Sequence, residues 1–143
     1  MQNKTSVFTY EDLKLGQTDS FEVEITATMI DEFAEISGDH SPIHTSDSYA
    51  TTTQFGQRIG HGMLSGIWFS RLIGMHLPGT YALYLSQTFN FHKPFLIGQT
   101  VEITGEIVQK IEAVRTIKVK TTVRNKENGE VLVSGEALVK LLA

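Results

Sequence analysis

The chain has 143 residues, of which 41% are hydrophobic and 20% charged, and its formal net charge is −4. This length and apolar content predict one folded domain over residues 1–143 with a sizeable core. The negative net charge argues against a nucleic-acid partner, which requires a basic surface. The sequence contains no cysteine, which excludes disulfides, thiolate metal ligands and cysteine nucleophiles and is typical of a cytoplasmic protein.

The sequence also predicts no membrane association. Residues 1–16 lack the continuous apolar core of a signal peptide. Residues 62–77 form an apolar run with Arg71 as its single full charge, but a membrane span requires about 20 residues of this kind. Because the run is apolar on nearly every side, it predicts a helix that is buried on every face inside the protein.

The first half of the chain predicts one strand and one helix before a long loop. Residues 20–26 alternate apolar and charged side chains, which is the period of a strand. Residues 27–38 carry apolar side chains at helical spacing, with Thr28 as the expected N-cap and Gly38 as the expected stop. Residues 39–60 predict a loop with one helical turn, and ordered loops of this length are often functional.

The part of the chain after residue 80 predicts β-structure. Four strands are expected at 81–91, 99–109, 114–125 and 130–142, and the Asn-Gly pair before the last strand suits a hairpin turn. Short turns between consecutive strands imply an antiparallel sheet, which can bury the apolar helix by wrapping around it. The expected fold class is therefore α+β. One sheet covers one side of the helix, and a homodimer could cover the other.

The stretch SGDHSPIHT at residues 37–45 points to function, because a turn needs its Gly, Asp, Ser and Pro but not its histidines. A zinc site on His40 and His44 is disfavoured, since Pro42 between them prevents a shared helical face. Asp39 and His44 lie five residues apart across a turn that can bring both side chains to one point. A carboxylate beside an imidazole can hold a water molecule and move its protons. A purely structural turn is the alternative interpretation.

The segment IGHGML at residues 59–64 opens the apolar helix. The first N–H groups of a helix lack helical partners, the helix dipole adds positive potential there, and Gly62 lets a ligand approach the backbone closely. Gly62 is therefore a candidate donor to a developing oxyanion, although Gly60 and Gly62 could instead serve only a tight entry into the helix. His61 is either a structural histidine or part of the site. The glycines around Ser65 do not have the spacing of a nucleophile elbow.

An acid–base pair that holds water, together with an oxyanion donor, suits the addition of water to a carbon conjugated with a carbonyl group. Water adds to the distant carbon, negative charge moves to the carbonyl oxygen, and a proton returns to the neighbouring carbon. This chemistry needs no metal, cofactor or covalent nucleophile, so we expect none.

Residues 33–50, FAEISGDHSPIHTSDSYA, resemble the signature of the MaoC-like hydratases, which are the (R)-specific enoyl-CoA hydratases of the hotdog fold. HGML at 61–64 and FNFHKPFLIGQTV at 89–101 are also similar to this family. The resemblance implies a long central helix wrapped by an antiparallel sheet, a homodimer, and an acyl-CoA thioester as the substrate.

The resemblance also implies a role for individual residues. Asp39 and His44 match the aspartate and histidine that activate water for syn addition to a trans-2-enoyl-CoA. Gly62 matches the glycine whose N–H binds the thioester oxygen, and Ser70 matches a serine of the central helix near the substrate. The chain departs from the family at Ser41, where asparagine usually precedes the proline; a serine can still cap a turn but has a shorter reach.

Other activities and features stay open on the sequence alone. The same fold carries dehydration of acyl groups on acyl carrier protein, thioester hydrolysis, and non-catalytic acyl binding. Six basic residues between 110 and 126 would either attract the phosphates of the carrier or, as we expect, form the solvated face of a strand. Phe89 and Phe91 are expected in the core.

Overall fold

The computed structural model of the protein describes residues 4–143. Its helices are α1 (Ala27–Ser37), α2 (Pro42–Thr45), α3 (Asp47–Ala50) and α4 (Leu64–Arg71), the last of which continues as a π-helical segment over Leu72–His76. Its strands are β1 (Thr18–Glu24), β2 (Ile59–Gly60), β3 (Ala82–Gln87), β4 (Asn90–Phe91), β5 (Phe95–Leu96), β6 (Thr100–Ile111), β7 (Thr116–Asn125) and β8 (Val131–Leu141).

The main sheet is antiparallel, and its strands follow the order β1-β6-β7-β8-β3, with β4 paired to β8. The hairpin between β7 and β8 turns where it was predicted, at Asn128-Gly129, and Gly129 takes the positive φ of 74° that favours glycine. Strands β2 and β5 form a separate two-stranded sheet beside the start of α4. The predicted α+β class is confirmed.

Helix α4 and its π-helical continuation pack against the concave face of the main sheet, as predicted. The central contacts come from Trp68, Phe69 and Leu72, which are 5%, 0% and 0% exposed. They pack with buried side chains of β6, β7 and β8, namely Val101, Ile103, Val123, Leu132 and Val133. Alternation along these strands places the apolar residues on the helix side, so the helix is held by burial of its apolar surface.

In the single chain, one side of this helix is uncovered, as expected from the sequence for a helix that packs on one sheet. Met63 and Ile67 are each 49% exposed, and Ser70 is also exposed. The sheet reaches only one side of the helix, and apolar composition alone could not identify which side would lie uncovered. On the edge strand β3, Leu83 and Leu85 are likewise 46% and 49% exposed.

Three local predictions differ from the structure. The N-cap of α1 is Thr26, whose side chain accepts from the Met29 N–H, and not Thr28; Gly38 is the predicted C-cap, with φ 77°. The loop after α1 contains two short helices where one turn was expected. The expected strand 81–91 is split into β3 and β4, because β8 pairs with β3 through a register shift and then pairs separately with β4.

The described helices are too short, or carry too many polar residues, to meet the requirements for crossing a bilayer.

Candidate active site

The loop that carries Asp39 begins where α1 ends at Gly38, and its conformation is fixed by side chains of the loop itself. The Asp39 N–H donates to Ser37 Oγ (3.0 Å), and Asp39 Oδ1 accepts from the Ser41 N–H (3.1 Å). Pro42 then starts α2, where a proline is tolerated because the first N–H groups of a helix have no helical partner. One carboxylate oxygen of Asp39, Oδ1, therefore bonds within the loop, and these bonds leave Oδ2 available to other groups.

His44 lies on α2 and is held at both its ring and its backbone. Ring atom Nδ1 donates to the carbonyl of Ile59 over 2.7 Å, which leaves Nε2 as the free nitrogen of the neutral ring. The carbonyl of His44 accepts from Arg58 Nε over 2.6 Å. Both contacts come from the segment just before α4, so the helix entry sets the orientation of the imidazole.

His61 makes the complementary contact in the opposite direction. Its Nε2–H donates to the backbone carbonyl of Asp39 over 3.0 Å. Each of the two segments, 39–44 and 59–61, therefore offers a histidine ring to a carbonyl of the other. The two rings stack on each other, with centroids 3.9 Å apart and an interplanar angle of 26°. We call these two hydrogen bonds the reciprocal histidine–carbonyl bonds.

The loop brings the predicted pair together. A carboxylate oxygen of Asp39, a ring nitrogen of His44 and a ring nitrogen of His61 all lie within 4.8 Å of one another. Two hydrogen bonds of about 2.8 Å that meet at one water span about 4.6 Å, so a single water can bridge two of these groups. Among residues 4–143, these three form the one group of histidine and acidic side chains that is close enough to hold a metal ion. His44 and His61 each also bind a backbone carbonyl through one ring nitrogen.

Gly62 lies at the start of α4, ahead of the donors of the first helical bonds. Those donors are the N–H groups of Leu64, Ser65 and Gly66, which bond to the carbonyls of His61, Gly62 and Met63. The Gly62 N–H thus precedes the hydrogen-bonded turn. A Cβ at this position would lie 2.9 Å from the ring of Phe91, so the glycine permits the aromatic ring to approach the backbone closely.

The two serines of α4 lie in different environments. Ser65 is fully buried, and its hydroxyl donates to the Gly62 carbonyl over 2.6 Å, which fixes the orientation of that peptide. Ser70 is exposed, lies one helical turn after Ile67 on the uncovered face of α4, and is not among the residues that line the cleft beside His44 and Gly62. Ser70 is the seventh residue of α4, which corresponds to a displacement of about 9 Å along the axis from Leu64.

A cleft of about 450 Å³ opens beside His44 and Gly62, and its walls are mainly apolar. Phe91 forms part of the wall and is 54% exposed. The expectation that Phe91 belongs to the core is therefore wrong, whereas Phe89 packs against the buried cluster as expected. The cleft is lined by His44, Phe55, Ile59, Gly60, Gly62, Met63, Phe91, His92, Lys93, Pro94 and Phe95.

Comparison with known proteins identifies the family of this chain. The family described as "MaoC like domain" matches residues 13–129. The chain belongs to the MaoC-like domain family. It is 41% identical over 135 residues to the 3-hydroxybutyryl-CoA dehydratase of Methylorubrum extorquens, covering 94% of this chain and 85% of that protein. It is 37% identical to the (R)-specific enoyl-CoA hydratase of Rhodospirillum rubrum, covering 94% and 92% of the two chains.

The fold agrees with a solved member of this group. The unliganded R-hydratase PhaJ1 from Pseudomonas aeruginosa superposes with a TM-score of 0.91 at 35% sequence identity, covering 96% of this chain and 87% of that one. The sheet that wraps the central helix is therefore the hotdog fold, as the sequence resemblance implied.

Arg58 is a site residue of this MaoC-like chain that sequence reasoning missed. It is only 9% exposed, and besides its bond to the His44 carbonyl it donates from an Nη atom to Asp31 Oδ1 over 2.6 Å. It thereby ties α1 to α2. The sequence carried no signal of this role, because a lone arginine between Gln57 and Ile59 inside a long loop gives no sign of its burial or of its partner 27 residues away.

The remaining charged candidates lie away from the cleft. His40 is exposed and pairs with Glu35 at 3.6 Å, so it does not share a site with His44. The basic residues of β7 face acidic neighbours on the sheet: Lys118 pairs with Glu136 at 3.6 Å, and Lys120 lies opposite Glu106 and Glu136. They form a solvated, charge-balanced strand face, as expected.

Replacing Arg58 tests how His44 is held. Arg58→Met removes a charged donor from the His44 carbonyl, and hydrogen bonds to charged groups contribute about 2 kcal/mol. We expect the free energy of unfolding in urea to fall by about that amount. Asp31→Asn is the matched control, because it keeps an acceptor for Arg58 and loses only a charge on a side chain that is 58% exposed. An equal loss in both variants would show that the ion pair, and not the bond to His44, stabilises the loop.

Burial makes the stability contribution of His61 depend on pH. Desolvation is the main cause that lowers the pKa of His61, and the neighbouring His44 also lowers it, while the bond to Asp39 opposes the shift. Below its ordinary pKa of about 6.5, the unfolded state binds a proton that the folded state resists, so the free energy of unfolding decreases as pH falls from 7 to 5. We expect His61→Gln to reduce this decrease in urea unfolding, and His76→Gln to leave it unchanged. The same pH dependence in wild type and His61→Gln would contradict the assignment.

Proposed function

We propose that this chain is an (R)-specific enoyl-CoA hydratase, which adds water across the double bond of a trans-2-enoyl-CoA to give an (R)-3-hydroxyacyl-CoA. The single observation that supports this most strongly is the approach of the Asp39 carboxylate to the ring nitrogens of His44 and His61 within 4.8 Å, next to the N-terminus of α4. Relatives at 41%, 37% and 36% identity are named as a 3-hydroxybutyryl-CoA dehydratase and as (R)-specific enoyl-CoA hydratases.

The proposed chemistry uses Asp39 and His44 as one unit. A water molecule between the carboxylate and the free Nε2 of His44 is oriented by both acceptors, and its oxygen attacks C3 of the enoyl group. The electron pair of the C2–C3 double bond moves toward the thioester oxygen. Asp39 and His44 together remove a proton from the water and return a proton to C2, so that H and OH are added and no other group is consumed. The two groups act as a coupled pair, and the proton is assigned to the pair and not to one residue.

Gly62 is the proposed donor to the oxyanion that develops on the thioester oxygen. Its N–H stands ahead of the bonded first turn of α4, where the helix dipole also favours negative charge. Ser65 supports this role by holding the Gly62 carbonyl. Donors of this kind contribute about 3 to 4 kcal/mol to transition-state stabilisation in other enzymes.

The cleft suits an acyl thioester as the partner. Its volume of about 450 Å³ and its mainly apolar walls are adequate for an acyl group and the adjoining thioester. The acyl carrier is proposed to be coenzyme A; a dehydratase named for acyl carrier protein is also among the relatives, at 34% identity. The absence of cysteine in the sequence supports a cytoplasmic location.

A homodimer is the proposed assembly. The edge strand β3 exposes Leu83 and Leu85, and the uncovered face of α4 exposes Met63 and Ile67. Exposed apolar side chains of this kind are commonly covered at protein interfaces. Ser70 lies on the same face of α4, so we propose a substrate-contacting role for Ser70 only in the dimer.

The proposed function is tested with purified protein and crotonyl-CoA. Hydration removes the ultraviolet absorbance of the conjugated enoyl thioester, and a thiol reagent in parallel detects hydrolysis. We expect loss of absorbance without thiol release, and at least a ~100-fold lower turnover for Asp39→Asn and for His44→Ala, the low end for acid–base catalysis. His40→Ala and Asp47→Asn are matched controls on exposed residues of the same loop.

Each outcome of this assay has a consequence. Thiol release in place of hydration would identify a thioesterase. Near-wild-type turnover in Asp39→Asn or His44→Ala would refute the residue assignment. No reaction of the wild type with crotonyl-CoA, followed by reaction with a crotonyl group on acyl carrier protein, would replace coenzyme A by the carrier protein.

A further inference from the structure

His61 is a titratable side chain that the proposed reaction does not use, although it lies at the centre of the site. It is 2% exposed. Its ring is packed against His44, with centroids 3.9 Å apart, and against Phe33 of α1, with centroids 4.5 Å apart. A buried histidine in contact with both members of the proposed acid–base unit is in a position to control their geometry.

The hydrogen bonding of His61 selects one form of its ring. Nε2 carries the proton that is donated to the Asp39 carbonyl, and the same nitrogen is 3.9 Å from Asp39 Oδ2. Nδ1 is buried and has no hydrogen-bond partner among the described residues. A second proton on Nδ1 would therefore have no acceptor, and the resulting charge would face the ring of His44 and the guanidinium of Arg58, opposed only by Asp39. The ring is held neutral, as the lowered pKa of His61 also indicates.

We propose that His61 is a positioning residue: its neutral ring fixes the Asp39 backbone and the plane of the His44 imidazole relative to each other. This role rests on the proposed function. The Asp39 side chain is 51% exposed and its other described hydrogen bonds are made within its own loop, so the bond from His61 connects that loop to the entry of α4. Stacking against His61 defines the ring plane of His44, while the Ile59 carbonyl defines its rotation.

The proposal explains why both interactions of His61 matter. Displacement of a reacting group by about 1 Å can reduce the rate by roughly 100-fold. Loss of the bond to Asp39 would release the carboxylate side of the water site, and loss of the ring would release the imidazole side. Neither change alters the walls of the cleft, which His61 does not line, so substrate binding should change less than turnover.

The test compares three substitutions in the full-length protein. The amide nitrogen of His61→Gln reaches the position of Nε2, whereas the shorter His61→Asn does not, and His61→Phe keeps the stacking but has no donor. We expect His61→Asn, which loses both the donor and the ring, to lower kcat for crotonyl-CoA by at least ~10-fold with KM within about threefold, and His61→Gln and His61→Phe, which each keep one of the two interactions, to lose less of kcat. His76→Gln is the control, because His76 also stacks on an aromatic ring, that of Phe21, outside the site.

A second readout does not require activity. In ¹⁵N-detected NMR of the wild type at pH 7, His61 should be the neutral Nε2–H tautomer, and the His44 ring signals should move more in His61→Asn and His61→Gln, which remove the stacked ring, than in His61→Phe, which keeps it. A charged or Nδ1–H form of His61, or equal kcat losses in Gln, Asn and Phe, would overturn the positioning role. If the wild type does not hydrate enoyl thioesters but the NMR pattern is found, the proposed function fails and the positioning of Asp39 and His44 by His61 stands.

Discussion

The site depends on the reciprocal histidine–carbonyl bonds. His44 donates to Ile59, and His61 donates to Asp39, over 2.7 and 3.0 Å. Each bond fixes a ring by means of a backbone group, and backbone groups cannot swing away as side chains can. The 22 residues of the loop 39–60 contain only short regular elements, and ordering such a loop costs about 1–2 kcal/mol of backbone entropy per residue. These bonds, with the buried Arg58, contribute part of what offsets that cost.

The same bonds give the two histidines different roles, because they occupy different ring nitrogens. His44 is bound through Nδ1, which leaves Nε2 for a proton from outside. His61 is bound through Nε2, and its other nitrogen is sealed from solvent. Two stacked imidazoles of identical chemistry thus have different roles, because each binds a backbone carbonyl through a different ring nitrogen. The proposed reaction needs this asymmetry, because two charged rings at a centroid distance of 3.9 Å would repel each other in a partly desolvated site.

The sequence predicted those features that depend on local patterns. Alternation identified the strands, Gly38 identified the end of α1, and Asn128-Gly129 identified the turn of the last hairpin. The meeting of Asp39 with His44 was predictable because five residues around a proline cannot separate them far. Arg58 and the task of His61 were not, since their partners are 14 to 27 residues away, and a pattern within a window carries no information about such contacts.

The exposed apolar surfaces of the single chain have a common physical cause. Met63 and Ile67 on α4 and Leu83 and Leu85 on β3 are all about half exposed. A single sheet has one concave face, and the remaining apolar area is left for another surface to cover.

Ser41 stands where the family usually has asparagine, and the structure shows how the loop accommodates it. Its side chain makes no capping bond to α2, and its backbone carries the turn by donating to Asp39 and accepting from His44, so serine in place of asparagine leaves the loop intact.

The most direct test of the account is a crystal structure of the Asp39→Asn variant with crotonyl-CoA bound. The account predicts that C3 of the enoyl group faces a water held between residue 39 and Nε2 of His44, with the thioester oxygen about 3 Å from the Gly62 nitrogen. A complex in which the thioester carbon, and not C3, faces that water, or in which the thioester oxygen lies away from Gly62, would contradict it.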